Sequence, residues 1–226
     1  MTHADWPQVR TVGVDGFLVR FGDHLSEAAN RAALAFRNAL EAAQLAGVDE
    51  TSTSLASAYL RFDIKSHDHS EIEAALFALL SDRDWFAAEL PEGRRLWRIP
   101  TVYGTDHAPQ LTEAAALAGL SVADAIASLS STRIRVQTIG FAPGQPYLGE
   151  LAPAWDIPRQ TGLTRRVPVG AVTVAIRQIV LFSVSAPTGW RHVGQTAFQA
   201  FRPGSTSPFP LMPGDEVLLP AVDPAA

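Results

Sequence analysis

Proline constrains this chain most: four of its sixteen prolines lie before position 140 and twelve after it. Proline has no backbone N–H and its ring clashes with the preceding turn, so helix interiors tolerate it badly. Helices therefore belong to the first two thirds, and the last third is expected to be strands and turns. The length of 226 residues fits one large domain or two small ones. An apolar share of 47% with a net charge of −5 excludes intrinsic disorder, which needs low hydrophobicity and high net charge. No apolar stretch approaches the ~20 residues of a membrane span. No basic flank followed by an apolar run opens the chain, so the expectation is a cytoplasmic protein with no membrane association. The acidic balance speaks against nucleic acid, whose phosphates call for clustered Lys and Arg. With no cysteine, disulfides, thiol nucleophiles and thiolate metal sites are excluded.

Residues 17–21 alternate so that Phe17, Val19 and Phe21 share one face of a strand. Ser26 is placed to cap a helix carrying Ala29, Ala33, Phe36 and Leu40 on one stripe. A second strand over 59–64 puts Leu60, Phe62 and Ile64 on one face. Ser70 and Glu73 have the spacing of a capping box before a helix with Ile72, Leu76, Leu79 and Leu80. This succession predicts a small α/β sandwich over 1–93, with helices on one face of an antiparallel sheet. Pro91 and Gly93 mark the linker, within 89–95.

Residues 94–226 form the second predicted domain. Residues 96–103 read as a strand interrupted by Pro100, hence at an edge or bulge. Two short helices follow, over 110–118 and 122–129, the second capped by Ser121. Strand patterns then recur at 134–139, 167–175, 179–184, 198–201 and 216–219, separated by Gly and Pro, which indicates a β-barrel or sandwich. The fold class is α+β.

The helix pair resembles a helix-turn-helix, but its second helix carries Asp124 and no Lys or Arg to meet phosphate, so it is read as an ordinary helical hairpin. His67 and His69 could share a metal if they lay in a strand; they sit in a polar turn with no third ligand, and no metal site is assigned. Lys65 is the only lysine, and no glycine-rich phosphate loop or nucleophile elbow is present. The unusual stretch is Gly140-Phe141-Ala142-Pro143-Gly144-Gln145-Pro146-Tyr147-Leu148-Gly149, a stiff turn directly after a strand. It either presents aromatic faces and free amides to a ligand or plugs the barrel end with Phe141 and Tyr147. Trp190, in a second glycine-proline cluster, is a stacking platform or, the safer reading, a core anchor.

These clusters resemble the carboxyltransferase-domain family that contains the B-type subunit of 5-oxoprolinase, the kinase inhibitor KipI and allophanate hydrolase subunit 1. The matching pieces are Gly140 to Leu148, Ile157-Pro158-Arg159, Val167-Pro168-Val169-Gly170-Ala171-Val172, Gln178, Ala186-Pro187-Thr188-Gly189-Trp190 and Pro213-Gly214-Asp215. Upstream, Gly16-Phe17-Leu18-Val19-Arg20-Phe21-Gly22-Asp23 and Ile99-Pro100-Thr101-Val102-Tyr103-Gly104 also match. The resemblance implies a cyclophilin-like β-barrel for the second domain and a partner subunit of the KipA or 5-oxoprolinase C type in a heteromer. It further implies ATP as cofactor, bound by the assembled complex, and a small acidic or lactam substrate. The implied reaction is hydrolytic lactam or amide opening; a KipI-like regulator and an allophanate hydrolase subunit are the alternatives. The substrate-binding candidates are Phe141, Pro143, Gly144, Tyr147, Arg159, Gln178 and Trp190, with Arg159 as partner for a carboxylate and the amides around Gly144 for an oxyanion or carboxylate. No catalytic residue is assigned. The chain departs from the family motif at Gln145, where the motif has Phe. It also departs at Ile176 to Ser183, where Ile176, Ile179 and Val180 replace the Gly, Thr and Gly of a turn. Because β-branched residues disfavour positive φ, a continuous apolar strand is expected there. Ser130 and Ile134 stand near where the family often has His and Tyr.

Overall fold

In the computed structural model, which describes residues 5–223, the chain divides between Gly93 and Arg94 into two compact units. The first contains β1 (Gln8–Val12), β2 (Gly16–Arg20), α1 (Glu27–Ala43), β3 (Val48–Ser54), β4 (Ser57–Phe62) and α2 (His69–Leu80). Its strands form one antiparallel sheet in the order β1-β2-β4-β3. Phe17, Val19, Leu60 and Phe62 of the sheet pack with Ala29, Ala33, Phe36 and Leu40 of α1 and with Ile72 and Leu76 of α2 in one core. Ser26 caps α1, its Oγ accepting from the Ala29 N–H at 3.2 Å.

Two local expectations fail here. Strand β4 stops at Phe62 and leaves Ile64 50% exposed, because the Asp63 carboxylate accepts from the Lys65 N–H (3.0 Å) and Ser66 Oγ (2.9 Å) and turns the chain. The capping box of α2 is built by Asp68 and Glu71 rather than Ser70 and Glu73: the Glu71 N–H donates to Asp68 Oδ1 (3.0 Å) and the Asp68 N–H to Glu71 Oε2 (3.1 Å). An ionised carboxylate is the stronger acceptor, and the Ser70 hydroxyl itself donates to it at 2.6 Å. The helix thus begins at His69, whose ring lies edge-on to Phe62 and Phe17 at 5.0 and 5.6 Å, while His67 Nδ1 lies 3.0 Å from Ser66 Oγ.

The second unit contains β5 (Leu96–Arg98), β6 (Val102–Tyr103), α3 (Leu111–Leu117), α4 (Val122–Ser131), β7 (Ile134–Ile139) and β8 (Pro146–Gly149). After a single 3-10 turn at Pro153–Trp155 come β9 (Thr164–Val167), β10 (Ala171–Ala175), β11 (Gln178–Leu181), β12 (Ala186–Thr188), β13 (Arg191–Gln195) and β14 (Glu216–Leu218). Eight strands form one sheet in the order β5-β14-β7-β8-β11-β10-β13-β6, and β12 pairs with β9 separately.

The two ends of the eight-stranded order belong to one segment. Residues 96–98 run parallel to β14, Thr101 bridges Ala221, and Val102 and Tyr103 pair with β13. One stave, kinked at Pro100, therefore curls the sheet back on itself as a cyclophilin-like barrel. Asp215 fastens this seam. Its buried carboxylate accepts from the backbone N–H of Arg95 and of Met212 (3.0 Å each), from the Arg95 guanidinium (2.6 Å) and from the Trp97 indole (3.1 Å).

The barrel interior is filled. Leu111, Ala114 and Ala115 of α3 and Ala125 and Leu129 of α4 pack with Trp155, Leu148, Val172, Val174, Ile179, Leu181 and Val193 in a single cluster. The helical hairpin is therefore a barrel component. Among the described residues no single helix is long and apolar enough to cross a membrane; α3 and α4 reach that composition only together, across a 91° bend.

Three strand expectations change. The run 167–175 breaks at 168–170, where Gly170 has φ +81° and an added Cβ would lie 2.1 Å from the Thr196 carbonyl oxygen. Residues 198–201 are irregular, and the Phe198 ring there packs edge-on against Trp97 at 5.7 Å. The continuous strand expected over 176–183 is instead a hairpin: Ala175 pairs with Gln178, and Ile176 (φ 43°) and Arg177 (φ 60°) form a two-residue turn. The right-handed twist of the strands favours left-handed backbone at both turn positions, at about 1–2 kcal/mol per non-glycine residue. Three hydrogen bonds hold the turn against that cost: Ile176 N–H to Ile157 O (2.8 Å), Arg177 N–H to Trp155 O (2.9 Å) and Leu151 N–H to Arg177 O (2.8 Å). A β-branched side chain disfavours a left-handed turn without forbidding it.

Candidate functional site

Strands β8 and β11 pair with Tyr147 opposite Val180. Strand alternation sends Leu148, Ile179 and Leu181 to the packed interior and Tyr147 and Val180 to the other face. On that outer face Val180, Ala171 and Ala175 are covered by Val167 of β9, Ala186 of β12 and Trp190. The hairpin β10–β11 is thus buried on both sides, which is why all five residues of β10 are inaccessible.

Beside this cover lies a cavity of about 170 Å³. Its walls are Tyr147, Val180, Phe182 and Trp190; Gln145 and Thr188 supply polar atoms; Phe141, Arg159 and Leu163 also line it. Phe141 is 72% and Leu163 69% exposed. The Arg159 guanidinium carbon stands 5.1 Å from the Trp190 ring centroid, and the Tyr147 ring meets Trp190 edge-on at 6.1 Å. Arg159 is the only charged residue in the lining, and among the described residues it has no carboxylate at ion-pair distance. The site therefore combines one cation with aromatic walls on the outer side of the barrel wall.

Of the seven candidates, Phe141, Tyr147, Arg159 and Trp190 meet around this cavity; Pro143, Gly144 and Gln178 do not line it. Pro143 faces solvent. Gly144 (φ +69°) is pressed against the neighbouring loop, where an added Cβ would lie 2.3 Å from the Ala200 carbonyl oxygen. Gln178 is buried, its Nε2 donating to Gln137 Oε1 at 2.7 Å. Around Gly144, the Gly140 N–H donates to Gln145 O (3.0 Å) and the Gln145 N–H to Ala142 O (3.1 Å), so those two amides are committed within the loop. Trp190, 4% exposed, is both core anchor and cavity wall.

Sequence reasoning missed what stands behind the Arg159 loop. The Gln160 N–H donates to Gly189 O (2.7 Å), and Gln160 Nε2 donates to Trp190 O and to Thr164 Oγ1 (3.1 Å each). Gln110 Nε2 donates to Gln160 Oε1 (2.7 Å) and Gln110 Oε1 accepts from the His192 N–H (2.8 Å). This network ties the residue after Arg159 to the strand after Trp190 and so fixes the guanidinium over the indole. Three neutral amides and hydroxyls scattered between positions 110 and 164 leave no sequence signal. Leu163, Phe182 and Thr188 were also unmarked, although Thr188 sits inside the Ala186–Trp190 cluster.

His192, next in β13, is buried, and its Nε2 has no hydrogen-bond partner. Burial pushes the imidazole below its ordinary range, so the folded protein holds this proton less readily than the unfolded chain does. The unfolded chain takes up a proton near pH 6.5. The unfolded state therefore binds more protons as pH drops below about 6.5, and this residue's contribution to stability is lost with falling pH. Melting temperatures at pH 7.5 and 5.5 should differ by less in His192→Gln than in the wild type; an unchanged difference would show that His192 carries no part of the acid sensitivity.

Residues 7–211 match the family model described as carboxyltransferase domain, subdomain C and D. The B-type subunit of 5-oxoprolinase from Bacillus subtilis (strain 168) is 30% identical over 217 residues, 93% of this chain and 90% of its own length. The crystal structure of TTHA0988 is similar with a TM-score of 0.76 and 32% identity over 96% of this chain, which spans 40% of that longer chain. The urea amidolyase of K. lactis shares the fold at a TM-score of 0.71 and 17% identity; 96% of this chain is covered, and 15% of that one. With the family model matched over residues 7–211 and a relative 30% identical along nearly its whole length, this chain belongs to the carboxyltransferase domain C and D family.

Proposed function

We propose that this chain is the B-type subunit of a heteromeric, ATP-dependent hydrolase of the 5-oxoprolinase type, working with a KipA-like or 5-oxoprolinase C-type partner. The observation that carries the reading is the cavity: one guanidinium over an indole, aromatic walls, and a volume of about 170 Å³. A cavity of about 150 Å³ accepts a single benzene ring, whereas drug-sized ligands need roughly 300 Å³ or more. The space suits one small ring bearing a carboxylate, which 5-oxoproline is.

In this reading the forked guanidinium of Arg159 holds the carboxylate in a charge-assisted pair. Trp190 and Tyr147 give the flat ring an apolar face, and Phe182 and Val180 close the floor against water. ATP does not fit these residues: the volume is too small for a nucleotide, and one arginine is too little for a triphosphate. Its site is assigned outside this cavity, in the assembled complex.

The test is co-expression with the partner subunits, followed by ATP- and 5-oxoproline-dependent glutamate release. Arg159→Ala removes a hydrogen-bonded charge contact of about 1.5–3 kcal/mol. It should raise KM by about 10–100-fold with a smaller effect on kcat, and Arg159→Lys should recover part of the loss. An unchanged KM in Arg159→Ala would remove the site assignment, and a complex without lactam-opening activity would remove the function.

A further inference from the structure

Arg191 is a buried arginine that the proposed chemistry leaves unused. It follows Trp190 at the start of β13, and its guanidinium has two partners: Nη1 donates to Pro158 O at 2.6 Å, and Nε donates to Glu113 Oε1 at 2.8 Å. Glu113 lies in the first turn of α3, half-exposed and outside the cavity lining. A buried charge is kept only where its donors are answered, and here one of the two acceptors is the carbonyl directly before Arg159. Two rungs therefore lie side by side between the same two segments, Arg159 on Trp190 and Pro158 on Arg191.

Among the described residues the Arg159 guanidinium has one partner, the Trp190 ring. A long side chain with a single ring contact takes the rest of its direction from its backbone. That backbone is held on both sides: at Pro158 by Arg191, and at Gln160 by Gly189 O, Trp190 O and Gln110. Pro158 also has its φ fixed by its own ring. Both supports lead to α3, through Gln110 at its start and Glu113 one turn on.

We infer that Arg191 and Glu113 are positioning residues, which hold residues 158–160 so that the Arg159 guanidinium stays over the indole at the cavity. That role rests on the function proposed above and adds to it the support behind the carboxylate-binding group. Neither residue touches the ligand: Arg191 acts through the Pro158 carbonyl, and Glu113 acts through Arg191.

Two readouts test this. Protons held over an indole are displaced by its ring current, so the Arg159 Nε–H resonance of the full chain, assigned by its loss in Arg159→Lys, reports the stacking without any ligand. Glu113→Ala and Arg191→Met should each move that resonance, and Glu113→Gln, which keeps an acceptor for Nε, should largely restore it. In the assembled complex, Glu113→Ala should raise KM for 5-oxoproline by about 3–10-fold, the range of one hydrogen bond. It should leave kcat nearly unchanged and add nothing in the Arg159→Ala background. An unmoved resonance in Glu113→Ala would remove Glu113 from the role, and an unmoved resonance in Arg191→Met as well would overturn the inference. So would a KM loss of equal size with and without Arg159. If the complex opens no lactam, the proposed function falls, and the resonance alone decides whether Arg191 and Glu113 position Arg159.

Discussion

Replacing Asp215 with alanine should lower the melting temperature of this protein by roughly 10 °C or more. The side chain is almost wholly buried and accepts from two backbone N–H groups, a guanidinium and an indole. Its loss leaves two backbone N–H groups and an indole N–H without their acceptor, at about 1–3 kcal/mol for each that stays unsatisfied. The Arg95 guanidinium, on a side chain 47% exposed, can instead turn to water. For a domain of this size each kcal/mol moves the transition by about 2–4 °C or somewhat more. Asp215→Asn is the sharper control: it preserves shape and one acceptor but points an NH₂ at donors, so it too should be strongly destabilising. Thermal unfolding of both variants, and of Arg95→Ala to measure the pair by a double-mutant cycle, reads the result. A loss below about 1 kcal/mol in Asp215→Ala would mean that the seam does not depend on this carboxylate.

Trp190→Ala is expected to cost about 3–5 kcal/mol, the usual range for deleting a large buried aromatic. The indole is packed against Val167, Ala171, Val180 and Phe182, and Arg159 rests on its outer surface. Because one ring serves the core and the cavity, Trp190→Ala alone cannot separate the two. Trp190→Phe does: it keeps most of the buried apolar contact and a smaller π face, so stability should fall by about 1–2 kcal/mol. Ligand affinity should fall by a larger factor than that modest loss suggests, because the guanidinium loses the surface that fixes its direction. Full affinity in Trp190→Phe would show that the indole is an architectural element only.

The parts of the fold that could be read from the sequence are those whose pattern is set locally. Phe17, Val19, Leu60 and Phe62 alternate as strands with one buried face, and Ala29, Ala33, Phe36 and Leu40 mark one helical stripe. Strands β1 and β3 escaped because β3, Val-Asp-Glu-Thr-Ser-Thr-Ser, is an edge strand with a single buried residue and no apolar alternation. The turn at Ile176 and Arg177 was hidden for a different reason. Its φ values are enforced by carbonyls of Trp155 and Ile157, some 20 residues away along the chain, and not by the turn residues themselves. At the site, Phe141, Tyr147 and Trp190 were legible because glycine and proline flag the loops that carry them, whereas Arg159 was legible only through the family resemblance of Ile157-Pro158-Arg159. Gln145 drew notice only as a departure from a motif, since nothing in a lone glutamine tells whether its amide will find a partner.

The kinked stave at 96–103 has a consequence for how other chains can meet this unit. A cylinder of strands whose first stave reaches both of its margins leaves almost no backbone free for a visiting strand. The short stretch of β13 beyond β6 is itself sealed by the N–H groups of Gly104 and Gln110, which donate to Val193 O and His192 O. Among the described residues, strand addition is therefore hindered along this seam, while the separate β9–β12 pair keeps its outer edges. Recognition along the seam has to run through side chains, where small sequence changes can alter the choice of companion while the framework stays the same.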